Sequence, residues 1–214
     1  MIPVAALAAP SGVPYYSQWE SPDLVPRFVD GTLDPAADPR WAASGARTAA
    51  EYGFWSPRVC GLACLRMILA SRGRLAPPTM ALVERALAWR AYIPDNDRVI
   101  GLIYQPFADW VGAEFGVTAQ VRAELTVEAI TGVATPATPV IASVHHWIRW
   151  PERTPPATGG HLVLITGHGD GQVSFRNPSG HTPQAGIATL PMVTFDRFAA
   201  RRGISLHIQP VLRN

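Results

Sequence analysis

Apolar positions follow one rhythm up to about residue 133 and another after it. Within 57–71, Leu62, Leu65, Ile68 and Leu69 recur three and four residues apart, which predicts a helix with one buried stripe. Ser56 is placed to cap it, Pro57 suits its first turn, and Gly73 follows its end. The same rhythm predicts helices over about 78–91 and 103–115, and a short one over 126–133. After residue 135 the runs "TPVIASVHH", "GHLVLITGHG" and "GQVSFRNP" read as strands, and Asp170-Gly171 between the last two marks a hairpin. A short helix over about 193–202 and a final strand "ISLHIQPV" close the chain. Residues 1–18 read as extended. Helices first and strands after predict an α+β fold, with helices on one side of an antiparallel sheet and one domain spanning 1–214. The Pro-, Asp- and Trp-rich stretch 19–57 carries one helix-like piece, "DPRWAASGARTAAEYGF". It is long for a connection and reads as an insertion or a lid.

Composition narrows the chemistry. All 18 basic residues are Arg, which excludes Schiff-base lysines and lysine-bearing phosphate loops. A net charge of +2 gives no reason to expect a nucleic-acid partner. Pro3 and Pro10 break the apolar N-terminal run, and no run is long enough to span a bilayer. The two cysteines are expected to be free thiols, as in a reducing compartment, so the expectation is a cytoplasmic protein without a membrane partner. No metal or cofactor motif is evident, and oligomeric state is left open.

Both cysteines fall in the predicted helix at 57–71. A helix N-terminus and a nearby imidazolium favour a thiolate, so Cys60, in the first turn, is the candidate nucleophile. Cys64, a turn deeper and flanked by Ala63 and Leu65, reads as a small buried hydrophobe. The plain alternative is that both are structural. A nucleophile needs a base. His161 opens a strong strand after Gly159-Gly160, whereas His168 falls on the strand's other face. The hairpin brings residues near 177 back beside 161, so Asn177 can orient the His161 ring. The Cys60 N–H and the Gln18 amide are candidate oxyanion donors. His145, Trp147, Trp19 and Gly160 are candidates for the substrate cleft, and Arg149 and Arg153 for a substrate carboxylate.

The segments "VPYYSQ", "CGLACLRMIL" and "GGHLVLITGHGDGQVSFRNPSG" resemble the papain-like cysteine peptidases. The closest branch is the bacteriocin leader-processing, double-glycine type and its free-standing relatives. The resemblance implies Gln18 at the oxyanion, Cys60 as nucleophile, His161 as base and Asn177 as orienting residue. It implies hydrolysis of a peptide or amide through a thioester acyl-enzyme, with no cofactor. Two departures stand out. Gln18 and Cys60 are 42 residues apart, where the family keeps them close, and Cys-Gly-Leu replaces Cys-Gly-Pro. The alternatives are a papain-like acyltransferase passing the acyl group to an amine, and a peptide-binding module without catalysis.

Overall fold

The structure is a computed structural model and describes residues 12–207. Its helices are α1 (Val25–Val29), α2 (Ala49–Trp55), α3 (Cys60–Ser71), α4 (Thr79–Ala88), α5 (Tyr104–Phe115), α6 (Val127–Val133), α7 (Pro183–Gly186) and α8 (Met192–Asp196). The strands are β1 (Tyr92–Asp95), β2 (Arg98–Gly101), β3 (Thr118–Arg122), β4 (Val140–His145), β5 (Gly160–Gly169), β6 (Gln172–Arg176), β7 (Ile187–Pro191) and β8 (Ala199–His207). β1 and β2 form a separate hairpin, and the other six make one antiparallel sheet in the order β3-β8-β4-β5-β6-β7.

Alternation along β4, β5 and β8 divides the sheet's apolar residues between two cores. Ile141, Leu162, Leu164, Ile204 and Leu206 meet the buried faces of α3, α4 and α5. Val140, Ala142, Val144, Val163 and Ile165 meet Ile130 of α6 and Phe195 of α8. The sheet is therefore covered on both faces. The long helices share one side, as expected, whereas the short helices α6 and α8 cover the other, where no helix was expected. In α3 the stripe Leu62, Leu65, Ile68 and Leu69 is buried, together with Cys64.

Several boundaries differ from the reading of the sequence. α3 begins at Cys60; Ser56–Arg58 form a separate 3-10 turn, and no side chain caps the helix. α4 ends at Ala88 and α5 begins at Tyr104. The helix expected over 193–202 stops at Asp196, because Ala199 already pairs with Val144 in the sheet. The hairpin β1–β2 and the strands β3 and β7 were not foreseen. Residues 1–11 of the extended N-terminal stretch, and 208–211 of the final strand, lie outside the described residues.

Residues 19–57 build a unit with its own small core of Trp19, Val25, Phe28 and Tyr52. Its polar centre is Asp38, fully buried, which accepts from Ser21 N (3.1 Å), Ser21 Oγ (2.6 Å), Tyr52 Oη (2.6 Å) and Arg40 N (2.9 Å). Burial would raise this carboxyl's pKa; the hydrogen bonds outweigh that and hold it below its ordinary value. Gly53 lets α2 lie on the 3-10 turn Pro35–Ala37, since a Cβ there would come within 2.8 Å of Ala36 Cβ. Replacing Asp38 by Ala strands Ser21 and Tyr52 without their acceptor. Asp38→Ala is expected to cost about 2–4 kcal/mol. Urea unfolding measures the loss, and limited proteolysis should locate new cleavage within 19–57.

Candidate active site

An open cleft of about 530 Å³ runs between the start of α3, the β1–β2 hairpin and the ends of β4, β5 and β8. Cys60 enters it from α3, and Gly160 and His161 from the start of β5. Cys60 is the first residue of a twelve-residue helix, and no intrahelical bond uses the N–H groups of Cys60, Gly61 or Leu62. Gly61 makes the approach possible. A Cβ there would lie 3.0 Å from Leu162 Cδ1 and 3.3 Å from both Leu102 Cδ2 and Tyr92 Oη.

Opposite the helix, His161 Nε2 lies 2.8 Å from Asn177 Oδ1. Asn177 reaches this position through a tight turn: its Oδ1 also accepts from Ser179 N at 3.1 Å, an Asx turn. Gly180 then passes so near Gly186 that a Cβ would sit 2.3 Å from the Gly186 nitrogen. Ser179 Oγ stands 3.0 Å from His161 Nε2 and 3.1 Å from Asn177 Oδ1, and it receives Arg149 Nη2 at 2.7 Å. One hydrogen arrangement fits these contacts and leaves Asn177 Nδ2 and Arg149 Nε without a partner among the described residues. Arg149 donates to Ser179, and Ser179 and His161 both donate to Asn177 Oδ1. The imidazole proton is then on Nε2, and Nδ1 keeps its lone pair.

The electrostatics favour neutral partners. Burial pushes the Cys60 thiol up to about 11, against the N–H groups of Leu162, Gly61 and Cys60, which favour the thiolate. Burial pushes His161 down to about 3; the Arg149 cation adds to this, and the Asn177 hydrogen bond opposes it. Among the described residues no hydrogen bond joins Cys60 Sγ to the His161 ring, so the expected resting ion pair is not formed. Arg149 meets no carboxylate there either, and burial brings its pKa down to about 10.

The other expected residues are placed as follows. Gly160 lines the cleft. Gln18 does not: its Nε2 donates to the Ser56 carbonyl at 2.9 Å, one turn before Cys60, and its N–H to the Pro178 carbonyl at 2.9 Å. Trp19 is a correction. It is buried in the core of 19–57, stacked on Phe28 at 5.7 Å, and does not line the cleft. His145 and Trp147 also lie outside the cleft lining. The His145 ring accepts from Trp147 N at 3.2 Å and caps the 3-10 turn His146–Arg149, while Trp147 packs on the second core. Arg153 stacks over Trp150 at 4.7 Å.

Tyr92, Ser179 and the β1–β2 hairpin were missed. The turn cluster Pro94-Asp95-Asn96-Asp97 between two apolar pairs was the available signal for the hairpin. Tyr92 Oη is buried without a partner among the described residues.

No protein-family model matches the chain, and no curated protein matches it. Among solved structures, a C39-like peptidase from Bacillus anthracis is similar at 13% identity and a TM-score of 0.50, over 72% of this chain and 90% of that one. The fold is the papain-like one of C39-like peptidases. The peptidase domain of Streptococcus ComA, a bi-functional ABC transporter involved in a quorum sensing pathway, is similar at 15% identity and a TM-score of 0.47, over 72% of this chain and 93% of that one. At these identities the likeness to C39-like peptidases is one of fold. No helix among the described residues is long and apolar enough to cross a membrane. No cluster of His, Cys, Asp or Glu among them is suited to hold a metal ion.

The buried neutral imidazole makes stability depend on pH. Folded, His161 resists protonation down to about 3; unfolded, it takes a proton near 6.5. Below 6.5 the unfolded state binds more protons, so stability falls as pH falls. At about pH 5 this group alone costs about 2 kcal/mol relative to neutral pH. Urea unfolding of wild type and His161→Gln at both pH values isolates it: the wild type should lose about 2 kcal/mol more than the variant.

Proposed function

We propose that the chain is a cysteine hydrolase that cleaves a peptide or amide bond through a thioester acyl-enzyme. The observation that carries this reading is the 2.8 Å contact between His161 Nε2 and Asn177 Oδ1, in a cleft that also holds Cys60 at a helix N-terminus. With Nε2 spent on Asn177, Nδ1 is the nitrogen that takes the Cys60 proton. The sulfur then attacks the carbonyl, and the carbon–sulfur bond forms as the carbonyl π electrons move to oxygen. The first-turn N–H groups of α3 stabilise that oxyanion. The imidazolium protonates the leaving amine as the carbon–nitrogen bond breaks. Water, deprotonated by His161, then releases the acid and restores the thiol.

Gln18 acts as a positioning residue in this reading. It ties the segment before Cys60 to the loop of Asn177-Pro178. The unit 19–57 is an added support and not a lid, since it contributes only Pro57 to the cleft lining. Trp19 and Trp147, the tryptophans expected in the substrate cleft, lie outside its lining and the cleft is open, so water is the favoured acceptor. A second reading, a peptide-binding module without catalysis, draws on the neutral resting states of Cys60 and His161.

A fluorogenic peptide library decides between the two. Turnover should fall at least about 1,000-fold in Cys60→Ala and His161→Ala, and about ten- to a hundredfold in Asn177→Ala. Turnover that survives Cys60→Ala would overturn the hydrolase. The raised thiol pKa adds a second expectation: alkylation of free-enzyme Cys60 by iodoacetamide, read by mass spectrometry, should climb through pH 9 without a plateau.

A further inference from the structure

The cleft that holds Cys60 and His161 is lined without a single Asp or Glu, yet two arginines line it, one from the turn before α3 and one from β8. Arg58 stands two residues before Cys60. Its position is fixed: Nη1 donates to the Phe54 carbonyl, Nη2 to the Asp97 carbonyl at 3.3 Å, and the guanidinium lies 4.4 Å from the centre of the Phe54 ring. Arg202 comes from β8 and lies against Gly159, where a Cβ would be 3.2 Å from its Nη2. It makes no hydrogen bond or ion pair among the described residues, and Arg58 meets no carboxylate there, that of Asp97 included.

Two cations turned toward one concave site leave a positive potential that low-dielectric walls concentrate. The fixed guanidinium of Arg58 loses little side-chain entropy when it meets a ligand, and its planar fork matches a carboxylate. Val99, Leu102 and Leu162 give the mixed lining of the same cleft an apolar part, beside Tyr92, Tyr104 and Ser143. We propose that this cleft selects substrates bearing a carboxylate close to the reacting carbonyl, beside an apolar residue. The inference rests on the hydrolase reading for the location of the reacting carbonyl, but its binding part does not require turnover. The carboxylate is either an acidic side chain within a peptide or the free end of one.

The test measures binding to the full chain carrying Cys60→Ala, by fluorescence anisotropy. The probes are short labelled alanine–leucine peptide amides with one Glu walked through successive positions, a matching Gln set, and the all-neutral peptide as free acid and as amide. At one or two positions Glu should bind about tenfold or more tighter than Gln, an advantage that shrinks with added salt. An advantage confined to the free acid over its amide would assign the terminal carboxylate as the ligand. Arg202→Gln should reduce the charge preference to within about twofold of none, and Arg202→Lys, which keeps the charge, should retain most of it. Equal binding of charged and neutral peptides, no binding by any of them, or a preference unchanged in Arg202→Gln would each overturn the proposal. Turnover of neutral and acidic peptides at equal kcat/KM would sink it and leave the hydrolase standing. Preferential binding of acidic peptides by a protein inert in every turnover assay would do the reverse.

Discussion

The close seat of α3 on the first residues of β5 is the contact on which the rest of the site depends. It brings the helix N-terminus to the strand that carries His161, and the absence of a side chain at residue 61 lets the two pack without crowding. Any Cβ at Gly61 would press on Leu162, Leu102 and Tyr92 together. These three neighbours belong to the sheet, the segment before α5 and the hairpin, so one glycine fixes the meeting of three elements. Cys64 shows the same closeness a turn later, with its Sγ 4.0 Å from the Leu162 carbonyl. Its place in a dry core argues for packing, whereas Cys60 stands at the end of the helix where the cleft opens.

The polar side of the cleft obeys a different constraint. Hydrogen bonds link the four side chains His161, Asn177, Ser179 and Arg149, and the partner of the His161 ring is a neutral amide. An aspartate in its place would draw a proton onto the imidazole; burial and the Arg149 cation keep the ring neutral, against the weaker pull of the Asn177 hydrogen bond. The thiol is kept neutral as well, by burial. Thiolate and imidazolium would stabilise each other if formed together, so the pair is a coupled system whose ionised state depends on the approach of its two halves. An anionic substrate of the kind proposed would offset positive potential in the same cleft, and its charge would then bias the state of the pair.

The legible parts of this protein were those written in local grammar. The apolar stripe of α3, the Asp170-Gly171 hairpin and the strand of His161 needed only neighbouring residues, and the hairpin's register carries Asn177 back to His161. What failed needed distant information. Trp19 and Trp147 are aromatic, which marks them as buried without saying in which core. Pro94 and the polar run Asp95-Asn96-Asp97-Arg98 obscured the alternation of β1 and β2, so a wall of the cleft went unseen. Ala199 and Ala200 locally favour a helix, and pairing with β4 overrides that preference. Ser179 was hidden because its role comes from a turn closing on a histidine 18 residues away.

Gln18 resolves the most awkward feature of the chain, the long separation from Cys60. Its side chain bonds to Ser56 and its backbone to Pro178, so the two ends of 19–57 meet at one residue. A segment whose ends already touch can lengthen at little cost to what it connects, because the closure entropy grows only slowly with length. The added residues then need a reason to stay ordered, and the small core around Trp19 and Phe28, centred on the buried Asp38, supplies it. The unit thus reinforces the strand–helix junction from behind and leaves the cleft open in front. The amide of Gln18, whose first hydrogen goes to Ser56, serves that junction before it serves any chemistry.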